Sequence, residues 1–358
     1  MKRNRIIIFL LLALLVAGGI AMLLGHSPTS RTERRALAQW PSPRWADIQN
    51  GSFMTKAERA AADQFPLRET FRKIKALFRR YVLLQPDSQE IYLDSGSAIH
   101  LEETTNGGAI ARNASRLAWV QEHYLQDTDV TCYYAVIPDK GYYRTKTDYP
   151  ALDYPTLLQS WSLPMTYVDL FPTLNLESYY RTDPHWRQES LEPVVQALSE
   201  GMDFPYRWDY QVLEAEDRFC GAYAGQSQLP MEPDTLRYLE NDALRGCQVW
   251  SLEHGENQPV YDSAQLTSPD PYSFYLSGPI ALQVIENPQA QTDRELILFR
   301  DSFGSSLAPL LASSYAKITL VDLRYINPEQ LGDYITFTDQ DVLFLYSCTV
   351  INQVGIFR

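Results

Sequence analysis

From about residue 89 to the C-terminus, short apolar runs alternate with stretches of helical periodicity. The runs with the length and composition of buried strands are 129–138, 165–170, 295–299, 317–323 and 341–346. The helical patterns between them are 113–126, 190–200 and 305–315. Strands that are apolar on both faces and alternate with helices predict an α/β fold with a mostly parallel sheet. Ligand sites in such folds lie beyond the carboxyl ends of the strands.

Two stretches of helical character, 52–65 and 67–84, precede this region and are separated by Pro66. In the second, apolar residues fall at the spacing of one helix face; they are Phe71, Ile74, Phe78 and Val82. A basic run covers the remaining positions: Arg72, Lys73, Lys75, Arg79 and Arg80. We interpret these cations as a solvated helix face, with contact to lipid head groups as the alternative.

The chain therefore divides into three parts. Residues 1–25 form a membrane anchor or signal segment, residues 26–88 a tether and helical neck, and residues 89–358 the main α/β domain. The stretch 203–275 is polar and rich in proline, which predicts a long irregular insertion in that domain.

The N-terminus carries an uncharged apolar run at 6–24, preceded by Lys2, Arg3 and Arg5. A run of about 20 apolar residues is long enough to cross a bilayer as a helix. Cations before the span stay in the cytoplasm, so we expect a single-pass membrane protein with an extracytoplasmic body. The alternative is a cleaved signal peptide, whose apolar region is shorter, about 7–15 residues.

Charge limits the classes of partner. The chain has 358 residues with 44 acidic and 31 basic side chains, a net charge of −13. The first 25 residues hold three cations and no acid, so the rest carries 28 basic and 44 acidic residues, or −16. A body this acidic lacks the basic surface that nucleic-acid binding requires. We therefore expect no nucleic-acid partner.

The cysteines and histidines do not form a metal-binding pattern. Cys132, Cys220, Cys247 and Cys348 are too scattered for a zinc site, and no H-E-x-x-H sequence occurs. Outside the cytoplasm the cysteines could pair as Cys220 with Cys247 and Cys132 with Cys348, with four free thiols as the alternative. Nucleotide-binding glycine motifs are also absent from the sequence, so we expect neither a metal nor a cofactor.

A candidate nucleophile follows the apolar run 295–299. Ser302 lies in the sequence Arg-Asp-Ser-Phe-Gly, between a predicted strand and a predicted helix. A serine on such a turn projects its hydroxyl at the top of the sheet, and free N–H groups at the helix start can stabilise an oxyanion. Serine is also a common helix cap, which is the alternative.

A candidate base and its partner lie in the sequence Thr-Asp-Pro-His-Trp. In an extended segment Asp183 and His185 face the same side, and Pro184 favours that backbone. A serine nucleophile needs a base, and the base needs a carboxylate to fix its tautomer. Ser302, His185 and Asp183 would supply these three roles. The alternative is a loop in which the aspartate caps a turn and the histidine is merely exposed.

With these residues identified, the chain resembles the DHHW protein family, which is similar to alginate O-acetyltransferases with an SGNH-hydrolase-like domain. The stretches that carry the resemblance are 33–41, 63–69, 136–143, 179–186, 219–227, 299–311 and 321–325. One departure is visible, because Pro184 stands where the family's name-giving motif has histidine. The family roles that remain fall on Asp183 and His185.

The resemblance implies a three-layer α/β sandwich and acyl transfer from a donor, by way of Ser302, to a polysaccharide hydroxyl. A membrane-bound protein that donates acyl groups is a further candidate partner, which the sequence itself does not reveal. Trp186 would offer a stacking surface for a sugar, with core packing as the alternative. The acidity of the body favours either a neutral or weakly charged acceptor, or an anionic glycan held by cations such as Arg181, Arg300 or Arg324. An esterase with the same residues, or a glycan-binding protein without turnover, are the alternative functions.

Overall fold

A computed structural model describes residues 2–30, 32–102, 104–126, 128, 130–255 and 257–357. The chain forms two compact units. The first comprises Met1–Gln89 with Ala224–Pro230, and the second comprises Glu90–Tyr223 with Met231–Arg358.

The α-helices of the described residues are α1 (Lys2–Leu24), α2 (Trp45–Gln49), α3 (Ser52–Asp63), α4 (Arg68–Tyr81), α5 (Gly107–Tyr124), α6 (Tyr154–Ser160), α7 (Glu192–Met202), α8 (Ala222–Ser227), α9 (Asp242–Gly246), α10 (Gly304–Leu311) and α11 (Cys348–Ile351). The strands are β1 (Thr29–Ser30), β2 (Arg35–Ala36), β3 (Asp87–Ser88), β4 (Ile91–Asp94), β5 (Ser97–His100), β6 (Cys132–Ile137), β7 (Thr166–Val168), β8 (Gln211–Phe219), β9 (Asp234–Glu240), β10 (Gln248–Ser251), β11 (Asn257–Gln258), β12 (Leu282–Glu286), β13 (Glu295–Arg300), β14 (Lys317–Val321) and β15 (Asp341–Ser347).

The first unit begins with the predicted apolar helix. Within α1, Asn4–Leu24 is a stretch of 21 residues that is long and apolar enough to cross a membrane. The side chains of Lys2 and Arg3, on which the predicted orientation depends, lie outside the described residues.

The two neck helices are present as predicted. The first, α3, ends at Asp63, and α4 begins at Arg68 after the turn that contains Pro66. Leu67 adopts a left-handed conformation with φ 58° at the start of α4. The helical periodicity is therefore interrupted at this turn, and α4 starts as a separate helix.

The second unit is built on an eight-stranded sheet in the order β11-β10-β12-β14-β13-β15-β6-β7. The strands from β14 to β7 are parallel, and they are the five strands that the apolar runs predict. The other three strands pair in antiparallel fashion at one edge. The expectation of a mostly parallel sheet is confirmed, and the antiparallel edge adds strands that the sequence pattern did not reveal.

Each face of the sheet carries its own hydrophobic cluster. One cluster packs α7 and α10 through residues such as Val194, Leu198 and Leu307. The other packs α5 and α6 through residues such as Leu117 and Leu157. The three-layer α/β sandwich that the resemblance implied is therefore the observed architecture.

The segment 203–275 contains more regular structure than predicted. Strands β8 and β9 pair in antiparallel fashion, and β10 belongs to the main sheet. An aromatic cluster in and around this segment includes Tyr180, Phe219, Tyr272, Phe274 and Tyr275. The prediction of an irregular insertion is corrected here, because buried aromatic side chains supply the core that periodicity did not show.

Neither of the two considered disulfides forms. Cys132 and Cys348 are buried free thiols, and Cys247 is a half-buried free thiol. Burial raises the pKa of the Cys132 thiol and of the Cys247 thiol to about 11, so both are protonated at neutral pH. Cys220 is exposed.

Candidate active site

The predicted nucleophile lies at the carboxyl end of β13, on the turn into α10. Asp301, next to it, is fully buried, and its Oδ1 accepts a hydrogen bond from the Phe303 N–H (3.0 Å). Its Oδ2 accepts from the backbone N–H (2.8 Å) and hydroxyl (2.6 Å) of Ser347, at the end of β15. Asp301 therefore ties the turn to the neighbouring strand and leaves the Ser302 side chain half-exposed.

The predicted base lies on a tight antiparallel loop. Tyr179 and Trp186 form an isolated β-bridge, and the Arg187 N–H donates to the Ser178 carbonyl (2.8 Å). At the tip the Asp183 Oδ1 accepts from the His185 backbone N–H (3.1 Å), as in an Asx turn. The expected extended segment is therefore a turn, in which a side-chain hydrogen bond brings the carboxylate and the imidazole together.

The loop and the turn bring the three predicted side chains into one hydrogen-bonded chain. The Ser302 Oγ lies 2.8 Å from the His185 Nε2. The His185 Nδ1 lies 2.6 Å from the Asp183 Oδ1. Both distances fall within the range of about 2.6–3.2 Å over which a base can take a proton from a nucleophile. The order is that of a serine nucleophile, a base and an orienting carboxylate.

The carboxylate of Asp183 is fully buried and held on both oxygens. The Ala222 N–H donates to Oδ2 over 2.8 Å, while Oδ1 accepts from His185. Gly221 leaves room for this approach, because a Cβ at that position would lie 2.3 Å from the Asp183 Cβ. The segment around Gly221 therefore fixes the position of the carboxylate.

A buried lysine supports the same loop from within the unit. The Lys140 Nζ donates to the carbonyls of Tyr180 (2.6 Å), Arg181 (3.3 Å) and Asp183 (3.2 Å). Burial lowers the pKa of Lys140 to about 7, with nearby carboxylates acting in the opposite direction. The lysine thus holds the backbone that carries Asp183 without touching the reacting atoms.

A second buried carboxylate supports the tip of the loop. Asp234 accepts from the N–H groups of Arg181 (2.9 Å) and Thr182 (2.8 Å) and from the Thr182 hydroxyl (2.6 Å). The Thr182 Oγ1 in turn accepts from the Gly221 N–H (2.9 Å). The backbone groups of the tip are therefore paired with buried partners, as a buried polar loop requires.

Two aromatic rings fix the imidazole plane. The ring of Tyr272 stacks on His185 with centroids 3.8 Å apart and an angle of 10°. The Phe303 ring lies 4.7 Å away. The Tyr272 hydroxyl donates to the Ser306 Oγ (2.9 Å), and burial raises its pKa well above the usual range. The tyrosine thus remains neutral and acts as a rigid wall.

The expected oxyanion donors at the helix start are not free to bind a substrate. The Phe303 N–H donates to the Asp301 carboxylate, and the Gly304 N–H donates to the Asp301 carbonyl (3.1 Å). The Ser305 N–H donates to the Ser302 carbonyl (3.2 Å). This expectation is corrected, because the turn uses these groups to hold its own shape.

Trp186 is fully buried and has no face open to a sugar. Its Nε1 donates to the Ser306 Oγ (2.8 Å), and its ring packs edge-on against Phe303. The Gln188 Nε2 donates to the Ser306 carbonyl (2.7 Å). Trp186 is therefore a core residue that joins the loop to α10, and the stacking interpretation is wrong.

Two of the predicted substrate-binding arginines are engaged inside the protein. Arg300 is 1% exposed, and it donates to the Gln283 Oε1 over 3.1 Å. Arg324 donates its Nε (2.9 Å) and Nη2 (2.6 Å) to the carboxylate of Asp322. Both cations are neutralised or buried by neighbouring groups, so the prediction that they bind substrate is corrected.

Arg181 differs, because it is exposed and lines a cavity of about 600 Å³ together with Arg187 and Arg237. Arg237 also pairs with Glu214 over 3.2 Å. The cavity is polar, and of the three sequence candidates Arg181 is the exposed one, since Arg300 is buried and Arg324 is half-buried against Asp322. No metal-binding group of three or more His, Cys, Asp or Glu residues occurs among the described residues.

The sequence motifs did not predict a role for three residues around the site: Lys140, Gly221 and Tyr272. Lys140 and Gly221 lie in the stretches 136–143 and 219–227, which carry the family resemblance but no catalytic pattern of their own. Tyr272 lies in the segment predicted to be irregular. Because their roles depend on contacts between distant parts of the chain, only the stretches that carry the resemblance gave a signal for the first two.

Comparison with known proteins identifies solved structures with a similar fold. No family model and no curated protein matches the sequence. Among solved structures, a DHHW family protein from Eubacterium siraeum is 20% identical, with a TM-score of 0.58 over 74% of this chain and 92% of that chain. PatB1 of Bacillus cereus is 17% identical, with a TM-score of 0.61 over 75% and 98%. The O-acetyltransferase domain of Pseudomonas putida AlgJ has a TM-score of 0.38, which is too low to support a shared fold.

At these identities the likeness establishes a shared α/β fold and not an activity. The predicted resemblance to the DHHW family is confirmed at that level, since a protein of that family superimposes on most of this chain.

Proposed function

We propose that this chain is an extracytoplasmic, membrane-anchored O-acyltransferase that transfers an acetyl group to a cell-surface or secreted polysaccharide. The observation that carries the proposal is the hydrogen-bonded order of Ser302, His185 and Asp183. The shared fold supports it, because the sequence resembles the DHHW family, for which the resemblance implies acyl transfer, and a protein of that family has this fold. A second structure of PatB1, which also shares the fold, contains a sulfonyl adduct.

In the first half of the reaction the Ser302 Oγ attacks the acyl carbonyl carbon of the donor. The hydroxyl proton passes to the His185 Nε2, which lies 2.8 Å away. The tetrahedral intermediate then expels the donor's leaving group, which takes the proton back from the imidazolium. The product is an ester between the acyl group and Ser302.

In the second half a sugar hydroxyl attacks the acyl-serine. His185 accepts the proton of that hydroxyl, and the Ser302 Oγ leaves and is reprotonated by the imidazolium. Asp183 stabilises the charged imidazole in both halves and keeps the proton on Nδ1. If water takes the place of the sugar, the same steps give an esterase.

The apolar helix α1 supports the proposed membrane attachment. The apolar stretch Asn4–Leu24 is long enough to span the bilayer, and Arg5 with the two cations before it would hold the N-terminus in the cytoplasm. The C-terminal body would then face outward, where surface polysaccharide is found. A membrane-bound protein that delivers acyl groups is the donor that suits this location.

The test uses the full-length protein in detergent micelles with p-nitrophenyl acetate as donor and neutral or anionic oligosaccharides as acceptors. We expect acetylated oligosaccharide, detected by mass spectrometry, and loss of both transfer and acetate release in the Ser302→Ala variant. The Ser115→Ala variant is the matched control, because that serine is exposed on α5 and lies outside the site.

Each alternative predicts a different result. Acetate release without acetylated oligosaccharide would identify an esterase. Oligosaccharide binding that Ser302→Ala leaves unchanged, with no cleavage of any ester tried, would identify a binding protein. Equal activity in wild type and Ser302→Ala would overturn the serine mechanism.

A further inference from the structure

The end of α1 and the start of α4 lie side by side. The Trp40 Nε1 donates to the Met22 carbonyl in the last turns of α1 (3.1 Å). The Ser27 N–H donates to the Gln64 Oε1 (2.9 Å), and the Gln64 Nε2 donates back to the Ser27 carbonyl (2.9 Å). A cavity of about 440 Å³ is lined by Gly25 and Leu67, among other residues. The chain therefore enters α4 next to the point where α1 ends.

One face of α4 is docked on its own unit. Ala76 is buried, and the Arg72 Nη2 donates to the carbonyls of Gly225 (3.1 Å) and Gln226 (3.3 Å). This cation of the basic run is therefore used inside the protein, and the helix cannot rotate without breaking these contacts.

The opposite face of α4 is apolar and open. The large side chains of this face and of the two residues that cap the helix, Leu67 and Val82, are each more than half exposed: Leu67 at 70%, Phe71 at 53%, Ile74 at 55%, Phe78 at 51%, Tyr81 at 63% and Val82 at 61%. At 3.6 residues per turn these positions fall within an arc of about 100°, the width of a core-facing stripe. Soluble proteins rarely leave such a contiguous apolar patch facing water.

A lysine lies at each edge of the apolar face. Lys73 and Lys75 are both exposed, and helical geometry puts each about 100° from Ile74, on opposite sides. Lysines in this position bury their methylene stems and lift their amines to the level of lipid head groups. An apolar stripe bounded by cations is the pattern of a helix that lies flat in a bilayer interface.

We propose that α4 lies in the membrane interface with its apolar face in the lipid. The inference rests on the proposed membrane anchoring, because α1 brings the turn before α4 to the bilayer surface. The observations favour lipid over a protein partner for two reasons. The apolar face begins beside the end of the span, and the flanking lysines match anionic head groups. Of the two interpretations of the basic run, lipid contact then applies to Lys73 and Lys75.

The test uses the full-length protein with Cys220→Ser and Cys247→Ser, so that an added cysteine can carry a fluorophore. The label is placed at Phe78→Cys in α4 or at Leu15→Cys in α1, and the protein is reconstituted in vesicles of phosphatidylcholine and phosphatidylglycerol. Nitroxide groups at shallow or deep positions of the lipid chains quench the fluorescence. We expect the strongest quenching from the shallow nitroxide at position 78 and from the deep one at position 15.

The matched control carries the label at position 78 together with Phe71→Glu and Ile74→Glu. We expect several-fold weaker lipid quenching there, with quenching at position 15 unchanged. Access of a water-soluble quencher to position 78 in the protein without these glutamates, with position 15 still in lipid, would overturn the inference and leave the anchor intact. Protection from both quenchers would overturn it in favour of a second copy on this face. Absence of quenching at position 15 would overturn the anchoring and the inference together.

Discussion

Gly221 and Asp183 lie so close that no side chain fits between them. A Cβ on Gly221 would lie 2.3 Å from the Asp183 Cβ and 2.6 Å from its Oδ2. The close approach lets the next residue, Ala222, donate its N–H to that oxygen over 2.8 Å. Glycine is thus required here by the distance between two segments and not by its own backbone angles.

We expect Gly221→Ala to displace the carboxylate and lower kcat by about 10²-fold or more, since small misplacements of catalytic groups have effects of that size. The measurement is steady-state ester cleavage by the full-length protein, with circular dichroism to verify folding. The control is Gly107→Ala at the start of α5, where a Cβ meets one atom at 3.7 Å, and which we expect to retain full activity. Unchanged kcat in Gly221→Ala would show that the segment does not position Asp183.

Asp183→Asn tests the orienting carboxylate. Both oxygens of Asp183 accept hydrogen bonds, from His185 and from Ala222, so an amide group must present its NH₂ to one of these donors. We expect kcat to fall by about 10³–10⁴-fold, because the imidazole then adopts the wrong tautomer. The same substitution at the exposed Asp242 is the control. A loss of less than tenfold at Asp183 would argue against the triad.

Two substitutions at Tyr272 distinguish the effect of ring packing from the effect of the hydroxyl hydrogen bond. Its ring stacks on His185 at 3.8 Å, while its hydroxyl bonds to Ser306. Tyr272→Phe keeps the ring, so we expect most of the activity to remain. Tyr272→Ala removes the wall, and we expect a fall in kcat with a smaller change in KM. Equal losses in the two variants would assign the effect to the hydroxyl instead.

Lys140 should affect both activity and the pH dependence of stability. Lys140→Met removes the donor to three carbonyls of the loop, so we expect a lower kcat and a lower free energy of unfolding. Lys140 is a positioning residue, because its amine acts through the loop and not on the substrate. The decisive measurement is therefore the pH dependence of the free energy of unfolding.

The sign of that pH dependence follows from the lowered pKa of Lys140. Burial lowers the pKa of Lys140 to about 7, whereas an unfolded lysine has a pKa of about 10.4. Between these values the unfolded chain holds a proton that the folded chain has released. The free energy of unfolding therefore rises with pH, by at most about 1.4 kcal/mol per pH unit from this group. Urea unfolding from about pH 7 to about pH 9 should show a steeper rise in wild type than in Lys140→Met. Parallel curves would contradict the buried lysine.

The sequence pattern was sufficient for the parallel strands and the helices that cover them. Those elements are apolar in runs or at helical spacing, because they are buried on both faces or on one. The sequence pattern did not predict strand β12, because this strand carries a buried polar side chain, Gln283. That side chain accepts a hydrogen bond from Arg300 and donates one to the Leu276 carbonyl. Such a position looks like an exposed one in the sequence.

The sequence predicted only part of the candidate site, because some of its residues act through contacts that a local pattern does not show. Ser302, Asp183 and His185 have side chains whose chemistry is recognisable in a short motif. The roles of Gly221 and Tyr272 come from contacts across the fold, and no local pattern encodes them. Trp186 shows the opposite error, because a tryptophan beside a candidate catalytic histidine suggests a stacking surface for a sugar until its burial is known.

The chain order of the site has a consequence for biosynthesis. Asp183 and His185 precede Ser302 by more than a hundred residues, and the loop that carries them is fastened to α10 by Trp186 and Gln188. If the body is exported as proposed, the segments that follow α1 emerge in chain order while the N-terminus stays in the cytoplasm. His185 is then exposed long before Ser302. Since the reactive pair cannot meet until strand β13 has been delivered, a truncated export product would be catalytically silent.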